Sequence, residues 1–194
     1  PKMEQKAKLK VIGVGGAGGN AINRMIKADM TGVDFIAINT DAQDLEKNSA
    51  EHRIQIGKTL TKGLGAGARS TIGHEAMTTD KEAVQNLIEG ADMVFITCGM
   101  GGGTGTGAAP VIAQIANELG VLTVGIVTLP FKFEGPRRLE RAMEGISEIR
   151  KVCDTVIIIP NQKLMSIVDK NTTLPDSFLL ADSILHQAAK GISD

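Results

Sequence analysis

The chain has 194 residues, of which 42% are hydrophobic, and this length and apolar fraction predict a folded domain rather than a disordered chain. Lysine and arginine (21) nearly balance aspartate and glutamate (22), which gives a formal net charge of −1 and disfavours binding to a nucleic-acid backbone or an anionic membrane. Aromatic residues make up 3%, with neither Trp nor Tyr, so a single-strand nucleic-acid platform built by base stacking is also disfavoured.

The cysteines and histidines form no pattern that predicts a disulfide framework or a metal centre. Cys98 and Cys153 belong to no CxxC pair, and the three histidines have no metal-ligand spacing. Without a signal peptide or a membrane-spanning apolar stretch, we expect a reduced, cytoplasmic protein with no direct membrane insertion. Because residue 1 is Pro rather than Met, we expect a piece of a longer protein.

Short apolar runs rich in β-branched residues alternate along the chain with segments of helical periodicity. Six runs predict strands, at residues 8–15, 33–39, 52–57, 91–98, 121–129 and 154–160. Four segments predict helices, at residues 20–28, 72–90, 109–119 and 135–151. Near-continuous Val and Ile runs are typical of parallel strands covered by helices on both faces. The alternation predicts an α/β fold in one domain, with a doubly wound, Rossmann-like and mainly parallel sheet.

Three of the segments that follow predicted strands are rich in glycine. They are GVGGAGGN (13–20) after the first strand, GKTLTKGLGAGA (57–68) after the third and GMGGGTGTG (99–107) after the fourth. Ligands of doubly wound sheets bind outside the carboxyl ends of the strands. We therefore expect the three loops to converge at one edge of the sheet and to form a binding site there.

The first glycine loop has two interpretations. It contains a GxGxxG pattern at Gly13, Gly15 and Gly18, between a strand and a helix, which is typical of dinucleotide-binding units. In that interpretation Asp41, beyond the second strand, would bind the ribose. The same pattern also fits a tight strand-to-helix turn with close packing, so this loop alone does not decide between the two.

The loop after the fourth strand predicts an anion site. Successive backbone N–H groups of Gly101–Gly107 can point inward, and the positive end of the following helix adds to them. Thr104 and Thr106 add hydroxyl donors, and Pro110 fits the first turn of that helix. A dinucleotide needs one such loop for its pyrophosphate, so several converging loops favour a nucleoside triphosphate.

The usual triphosphate motif, GxxxxGK[ST], is absent from the chain. It would need a glycine five residues before Gly57, and the chain has His52 there. The predicted phosphate site therefore depends on backbone dipoles and a metal ion rather than on a P-loop lysine.

These motifs together resemble those of one family. GMGGGTGTGAAP resembles the tubulin signature loop, and the chain is similar to the tubulin/FtsZ family over essentially all its residues, in the order GVGGAGGN, NTDAQ, GLGAGA, PFKFEG, IPNQKL. The resemblance implies binding of GTP or GDP with Mg²⁺, and GTP hydrolysis by the complete protein. It also implies head-to-tail polymerisation into the bacterial cell-division ring and contacts with cell-division proteins through carboxy-terminal regions.

The resemblance assigns the phosphates to the backbone of the three loops. It places the α- and β-phosphates against Gly15, Gly16, Ala17, Gly18, Gly19, Asn20, Gly101, Gly102, Gly103, Thr104, Gly105 and Thr106. Ala66, Gly67 and Ala68 would close over the γ-phosphate, and Thr128 would offer a hydroxyl nearby. Mg²⁺ would be held mainly by phosphates and water, without a direct protein ligand. No catalytic residue is expected in this chain, because a neighbouring subunit supplies it.

The resemblance assigns the ribose and the base to side chains. Glu134 would contact the ribose hydroxyls and Arg138 the sugar or a phosphate, although their spacing also fits a surface ion pair. Asp182 could accept hydrogen bonds from N1–H and the N2 amino group of guanine, and Phe178 could stack on the base. The alternative is a core Phe beside a solvated Asp. The rest of the base or the ribose is assigned to two amides, Asn20 and Asn161.

The last predicted helix is apolar on two sides, which indicates packing on two sides. One stripe runs from Phe178 to Ile192 and the other contains Leu180 and Ile184. We therefore expect a GTP-binding domain at residues 1–174 and a central helix at 175–194 that leads into a second domain. Without the acidic activating loop of the family, the chain alone is expected to bind nucleotide, hydrolyse GTP very slowly and cap filaments.

Two further alternatives follow from the sequence. A dinucleotide-binding Rossmann oxidoreductase is the second candidate function, but it leaves the GLGAGA loop unexplained. Cys98 is the last residue of the fourth predicted strand and lies beside the predicted phosphate site, where positive dipoles could lower its pKa. It could equally be a small buried residue without a functional role.

Overall fold

Six parallel strands form one sheet in the computed structural model, which describes residues 8–30, 32–65, 69–131 and 134–160. In chain order the strands are β1 (Leu9–Val14), β2 (Val33–Asn39), β3 (His52–Gln55), β4 (Met93–Gly99), β5 (Leu122–Leu129) and β6 (Thr155–Pro160). Their order across the sheet is β3-β2-β1-β4-β5-β6, and every neighbouring pair is parallel. The chain reverses its direction of winding between β1 and β4, which confirms the predicted doubly wound α/β fold.

Helices cover both faces of the sheet. In the described residues they are α1 (Gly15–Lys27), α2 (Ala42–Glu46), α3 (Lys58–Thr61), α4 (Ser70–Thr79), α5 (Lys81–Ile88), α6 (Thr104–Glu118) and α7 (Pro136–Arg150). Side chains of β1 alternate between the two faces: Val11 shares a core with Ile22 of α1, whereas Ile12 shares the other core with residues of α4–α7. Because both faces are covered, the sequences of the strands are nearly continuous runs of apolar residues.

The predicted strands are all present, and two helix starts are corrected. The strand bounds agree with the predicted ones to within two residues. Helix α1 begins at Gly15 and α6 at Thr104, each five residues before the predicted start. Intrinsic propensity disfavours glycine in a helix, but here close packing decides the conformation. A Cβ on Gly107, for example, would lie 1.9 Å from the carbonyl oxygen of Ser70 in α4.

The predicted helix at 72–90 is two helices. Asp80 separates α4 from α5 with non-helical dihedral angles (φ −107°, ψ 22°). Its carboxylate accepts a hydrogen bond from the amide of Gly57 at 2.7 Å, which ties the break to the loop after β3.

The prediction that Pro110 lies in the first turn of its helix is wrong. Since α6 begins at Thr104, Pro110 lies inside the helix, one turn later than expected. Proline has no N–H, so the carbonyl of Thr106 lacks the amide donor that the helix would otherwise provide four residues on.

No helix within the described ranges combines the length and apolar character needed to cross a membrane.

Candidate functional site

A cavity of ≈ 350 Å³ lies at the carboxyl ends of β1, β4 and β5. It is lined by Val14, Gly15, Gly16, Ala17, Gly99, Met100, Gly102, Gly103, Thr104, Gly105, Thr128, Leu129, Pro130, Glu134 and Arg138. This position includes the point between β1 and β4 where the winding reverses, which is the usual ligand site of doubly wound sheets. The first glycine loop and the one after β4 converge there, as predicted.

The N-termini of α1 and α6 meet at this cavity. Gly15 begins α1 with φ +76°, a conformation that favours glycine, and a Cβ there would lie 3.2 Å from the amide nitrogen of Gly105. Neither helix has a side-chain cap or an acidic residue in its first turn among the residues described. The first amides of a helix have no carbonyl partner within the helix, so those of α1 and α6 remain available to an anion. The positive ends of both helix dipoles also favour an anion there.

The loop from Gly99 to Gly103 is held against β5 and α7. The amide of Met100 donates a hydrogen bond to the carbonyl of Thr128 at 2.9 Å. Gly101 has φ +106°, and a Cβ there would lie 3.0 Å from both Cγ and the carbonyl oxygen of Arg138. Only glycine combines this backbone conformation with such close approach, which accounts for the glycine at position 101.

The two threonines of this segment bind groups inside the protein. Thr104 Oγ1 lies 2.8 Å from Oγ1 of Thr40, which directly follows β2 and is completely buried. Thr106 Oγ1 accepts a hydrogen bond from the amide of Gly101 at 2.7 Å. Thr104 also lines the cavity, whereas Gly101 and Thr106 are not among its described lining residues.

The glycines of the first loop divide into two groups. Gly15, Gly16 and Ala17 line the cavity of ≈ 350 Å³, and Gly19 and Asn20 line a smaller adjoining one of ≈ 70 Å³. Gly13 and Gly18 instead allow close packing of β1, α1 and β4.

Two distances show how close that packing is. A Cβ on Gly13 would lie 2.3 Å from the carbonyl oxygen of Gly18, and one on Gly18 would lie 2.5 Å from that of Thr97. The tight-turn interpretation of the GxGxxG pattern is therefore confirmed for these two positions.

Glu134 and Arg138 form an ion pair on the wall of the cavity. Arg138 Nε lies 3.4 Å from Glu134 Oε1, with the two side chains 44% and 27% exposed, respectively. Glu134 Oε2 also accepts a hydrogen bond from the amide of Phe131 at 2.6 Å. The surface ion pair is thus present, and both partners also line the cavity.

The glycine loop after β3 lies beside the carboxyl end of β2. Ala42 donates its amide hydrogen to the carbonyl of Gly63 at 3.1 Å, and Asp41 forms an isolated bridge with Leu64. A Cβ on Gly65 would lie 3.9 Å from Oγ1 of Thr40. Six predicted site residues lie outside the described residues: Ala66, Gly67, Ala68, Asn161, Phe178 and Asp182.

Two residues of the NTDAQ segment have roles that the sequence did not reveal. Thr40 joins the end of β2 to α6 through Thr104, and the signal was its position directly after a parallel strand. Asp41 caps α2, because its Oδ1 accepts hydrogen bonds from the amides of Gln43 and Asp44 at 2.9 and 3.2 Å. Its carboxylate therefore binds amides of α2. This removes the main support for the interpretation of Asp41 as the ligand of a dinucleotide ribose.

Cys98 is a buried residue at the end of β4. Burial, together with a smaller effect of Cys153, raises the pKa of its thiol from the ordinary value of 9.0 to about 12. The prediction that dipoles could lower this pKa is therefore wrong, because loss of water around the thiolate dominates. Cys98 is an inert core residue.

Metal-binding side chains are not clustered in the described part of the chain, where no group of three or more His, Cys, Asp or Glu side chains could hold a metal ion. The described oxygen-bearing side chains of the cavity are those of Thr104, Thr128 and Glu134. Any divalent cation here would need most of its ligands from a bound molecule and water.

Comparison with known proteins identifies the family. The family model described as "Tubulin/FtsZ family, GTPase domain" matches residues 8–169. The chain belongs to the tubulin/FtsZ family. An empty FtsZ dimer from M. jannaschii matches with a TM-score of 0.91 and 49% identity, over 97% of this chain and 55% of that one.

Other solved structures agree with this assignment. The W319Y mutant of FtsZ from M. jannaschii gives the same TM-score and identity over 97% of this chain and 56% of its own length. A GTPγS-bound protofilament of CetZ2 from Haloferax volcanii matches at 23% identity with a TM-score of 0.84, over 96% of this chain and 58% of that one, and shows the shared fold. The chain spans a little over half the length of the FtsZ structures it matches, and the Rossmann oxidoreductase is not favoured.

Proposed function

We propose that this tubulin/FtsZ GTPase domain binds GTP or GDP, with the phosphates at the cavity where α1 and α6 begin. The observation that carries the proposal is the meeting of two uncapped helix N-termini, brought together at Gly15 and Gly105. Backbone amides and helix dipoles at such ends stabilise phosphate oxygens without a lysine. This supports phosphate binding by the amides of Gly15–Ala17 and Gly102–Gly105.

The remaining contacts are proposed for side chains. Thr128 lines the cavity at the end of β5, where its hydroxyl would donate a hydrogen bond to a phosphate oxygen. Arg138 and Glu134 also line the cavity, which supports contacts of the guanidinium with sugar or phosphate and of the carboxylate with ribose hydroxyls. The guanine base is proposed to bind Asp182, with Phe178 stacking on it.

The few side-chain oxygens among the described lining residues of the cavity fit a Mg²⁺ ion that is bound mainly by the nucleotide. Mg²⁺ keeps several waters and commonly binds through phosphates and few protein groups. Thr104 Oγ1 is already bonded to Thr40, and Glu134 is bonded to Phe131 and Arg138, so few free protein oxygens surround the cavity. Bound there, the ion would neutralise phosphate charge.

We further propose that the complete protein hydrolyses GTP and polymerises head to tail, as the family resemblance implies. The family resemblance assigns activation of water to an acidic loop of a neighbouring subunit. In agreement with that assignment, Glu134 is the one carboxylate among the described lining residues of the ≈ 350 Å³ cavity, and its two oxygens already have partners. By itself the chain should release phosphate very slowly; brisk release with a rate independent of protein concentration would contradict this.

The cellular role is proposed on the same ground. The complete protein would act in the cytoplasm at the division site, where it forms the division ring and contacts cell-division proteins through regions outside this chain. The chain alone would cap filaments of the intact protein. Residues 1–174 would form the GTP-binding domain and 175–194 a central helix.

Calorimetric titration of the full chain with GTP, GDP, ATP and NAD⁺ tests the nucleotide assignment. We expect saturable binding of the two guanine nucleotides and much weaker binding of ATP and NAD⁺. In Asp182→Ala, GTP binding should weaken and discrimination against ATP should fall, because the groups that recognise the guanine edge are lost. Tight NAD⁺ binding, or GTP affinity and discrimination equal to those of the parent protein in Asp182→Ala, would contradict the assignment.

A further inference from the structure

Thr106 and Gly101 hold the phosphate-side loop together from behind. The amide of Gly101 donates its hydrogen bond to Oγ1 of Thr106 at 2.7 Å, and Thr106 is 5% exposed. The bond joins the start of the loop after β4 to the first turn of α6. Neither residue is among the described lining residues of the ≈ 350 Å³ cavity, although Gly102, Gly103, Thr104 and Gly105 between them belong to it.

The direction of the Gly101 amide matters for the amides that follow it. The hydrogen bond joins the two ends of the short segment from Gly101 to Thr106, so the peptide groups between them have fewer conformations available than in an open chain. Gly101 is also confined from outside, because its α-carbon packs against the side chain and carbonyl of Arg138. With its N–H bound to Thr106, the chain turns so that Gly102–Gly105 form the cavity wall.

The two branches of the Thr106 side chain have different neighbours. Its Oγ1 binds the Gly101 amide, whereas its Cγ2 lies against α7, 2.7 Å from the position that a Cβ on Gly145 would occupy. Valine would keep the methyl group towards Gly145 and lose the acceptor. Serine would keep the acceptor and lose the methyl group, so the two substitutions separate packing from hydrogen bonding.

We propose that Thr106 is a positioning residue for phosphate binding, whose hydroxyl orients the amides of Gly102–Gly105 without touching the nucleotide. The inference rests on the proposed function and deepens it by giving the second threonine of GTGTG a role distinct from ligand contact. A buried amide that loses its acceptor has to find another partner, so without the hydroxyl the loop would leave the arrangement that fits phosphate.

Calorimetric titration with GDP and thermal unfolding without nucleotide test the proposal in Thr106→Val and Thr106→Ser. We expect Thr106→Val to bind GDP about tenfold more weakly, because the loss of one hydrogen bond typically changes a dissociation constant by about this factor. Thr106→Ser should bind GDP within about twofold of the parent protein, even where its stability is lower, because the acceptor remains.

Thr123→Val is the matched control for the test. Thr123 is also buried, and its hydroxyl donates to the carbonyl of Val121 at 2.9 Å, but it lies near the amino end of β5, whereas the cavity lies at the carboxyl ends of the strands. GDP affinity should be unchanged in this variant. Unchanged affinity in Thr106→Val, or an equal loss in Thr106→Ser, would overturn the proposal.

Hydrogen exchange of the Gly101 amide in the unmodified, nucleotide-free protein gives a test that does not depend on variants folding. The proposal predicts a protected amide, and exchange as fast as in an unstructured peptide would overturn it. Absence of GDP binding to the unmodified protein would instead refute the proposed function. Because exchange is measured without nucleotide, protection of the Gly101 amide would still show whether its hydrogen bond to Thr106 is present.

Discussion

Gly107 lies in the first two turns of α6, where its α-carbon faces the backbone of α4. A Cβ there would lie 1.9 Å from the carbonyl oxygen of Ser70 and 2.6 Å from the amide nitrogen of His74. Both are backbone atoms, so a small side-chain movement cannot relieve the overlap. Gly107 is therefore one of the positions that allow α6 to pack closely on α4.

Gly107→Ala should therefore destabilise the protein, by about 1–3 kcal/mol as is typical of overpacking, although alanine is the better helix former. The measurement is the free energy of unfolding by denaturant without nucleotide. Gly16→Ala is the control, because its Cβ would have the Asp44 carboxylate at 3.7 Å as its one neighbour within 4 Å. A Gly107→Ala variant as stable as Gly16→Ala would contradict the packing argument.

At the scale of elements, the strands were predictable because β-branched runs are specific to buried parallel strands. The starts of α1 and α6 were not, since their glycines adopt helix through packing against distant backbone rather than through propensity. The site was predictable only in part, for the same reason. The glycine loops that follow predicted strands indicated where the site lies, but no sequence pattern indicates that Thr106 binds Gly101 or that Thr104 binds Thr40.

Helix α2 depends on one side chain at its start. Asp41 provides the cap, and Asp41→Ala should cost about 1 kcal/mol of unfolding free energy, because two amides of the first turn lose their acceptor. Asp41→Asn should retain most of the stability, since asparagine caps as well as aspartate does. Equal stability of Asp41→Ala and the parent protein in urea denaturation would contradict this role.

At the scale of the whole molecule, two helices from opposite faces of one sheet supply the phosphate site. Helix α1 packs on the face of Val11, and α6 packs on the face of Ile12. Their N-termini meet because β1 and β4 are neighbours whose following helices lie on opposite faces. The site is thus a consequence of the winding of the chain, and its geometry requires the intact sheet.

Global stability should fall in alkaline solution through the thiols of Cys98, which is buried, and Cys153, which is partly buried. The pKa values of Cys98 and Cys153 are each raised from 9.0 to about 12, chiefly by burial. Folding therefore favours the protonated thiols, so this contribution is complete below pH 9 and is lost as the pH rises towards 12. In the double variant Cys98→Ala/Cys153→Ala, unfolding free energy should decline less steeply over this range; an identical decline would contradict the assignment.

The most direct test of the central claim is a backbone amide NMR titration of the full chain with GDP. The account predicts saturable shift changes that are largest at Gly15–Ala17 and Gly102–Gly105, the amides at the two helix N-termini. Saturable GDP binding with its largest changes elsewhere, and none at these two segments, would contradict it.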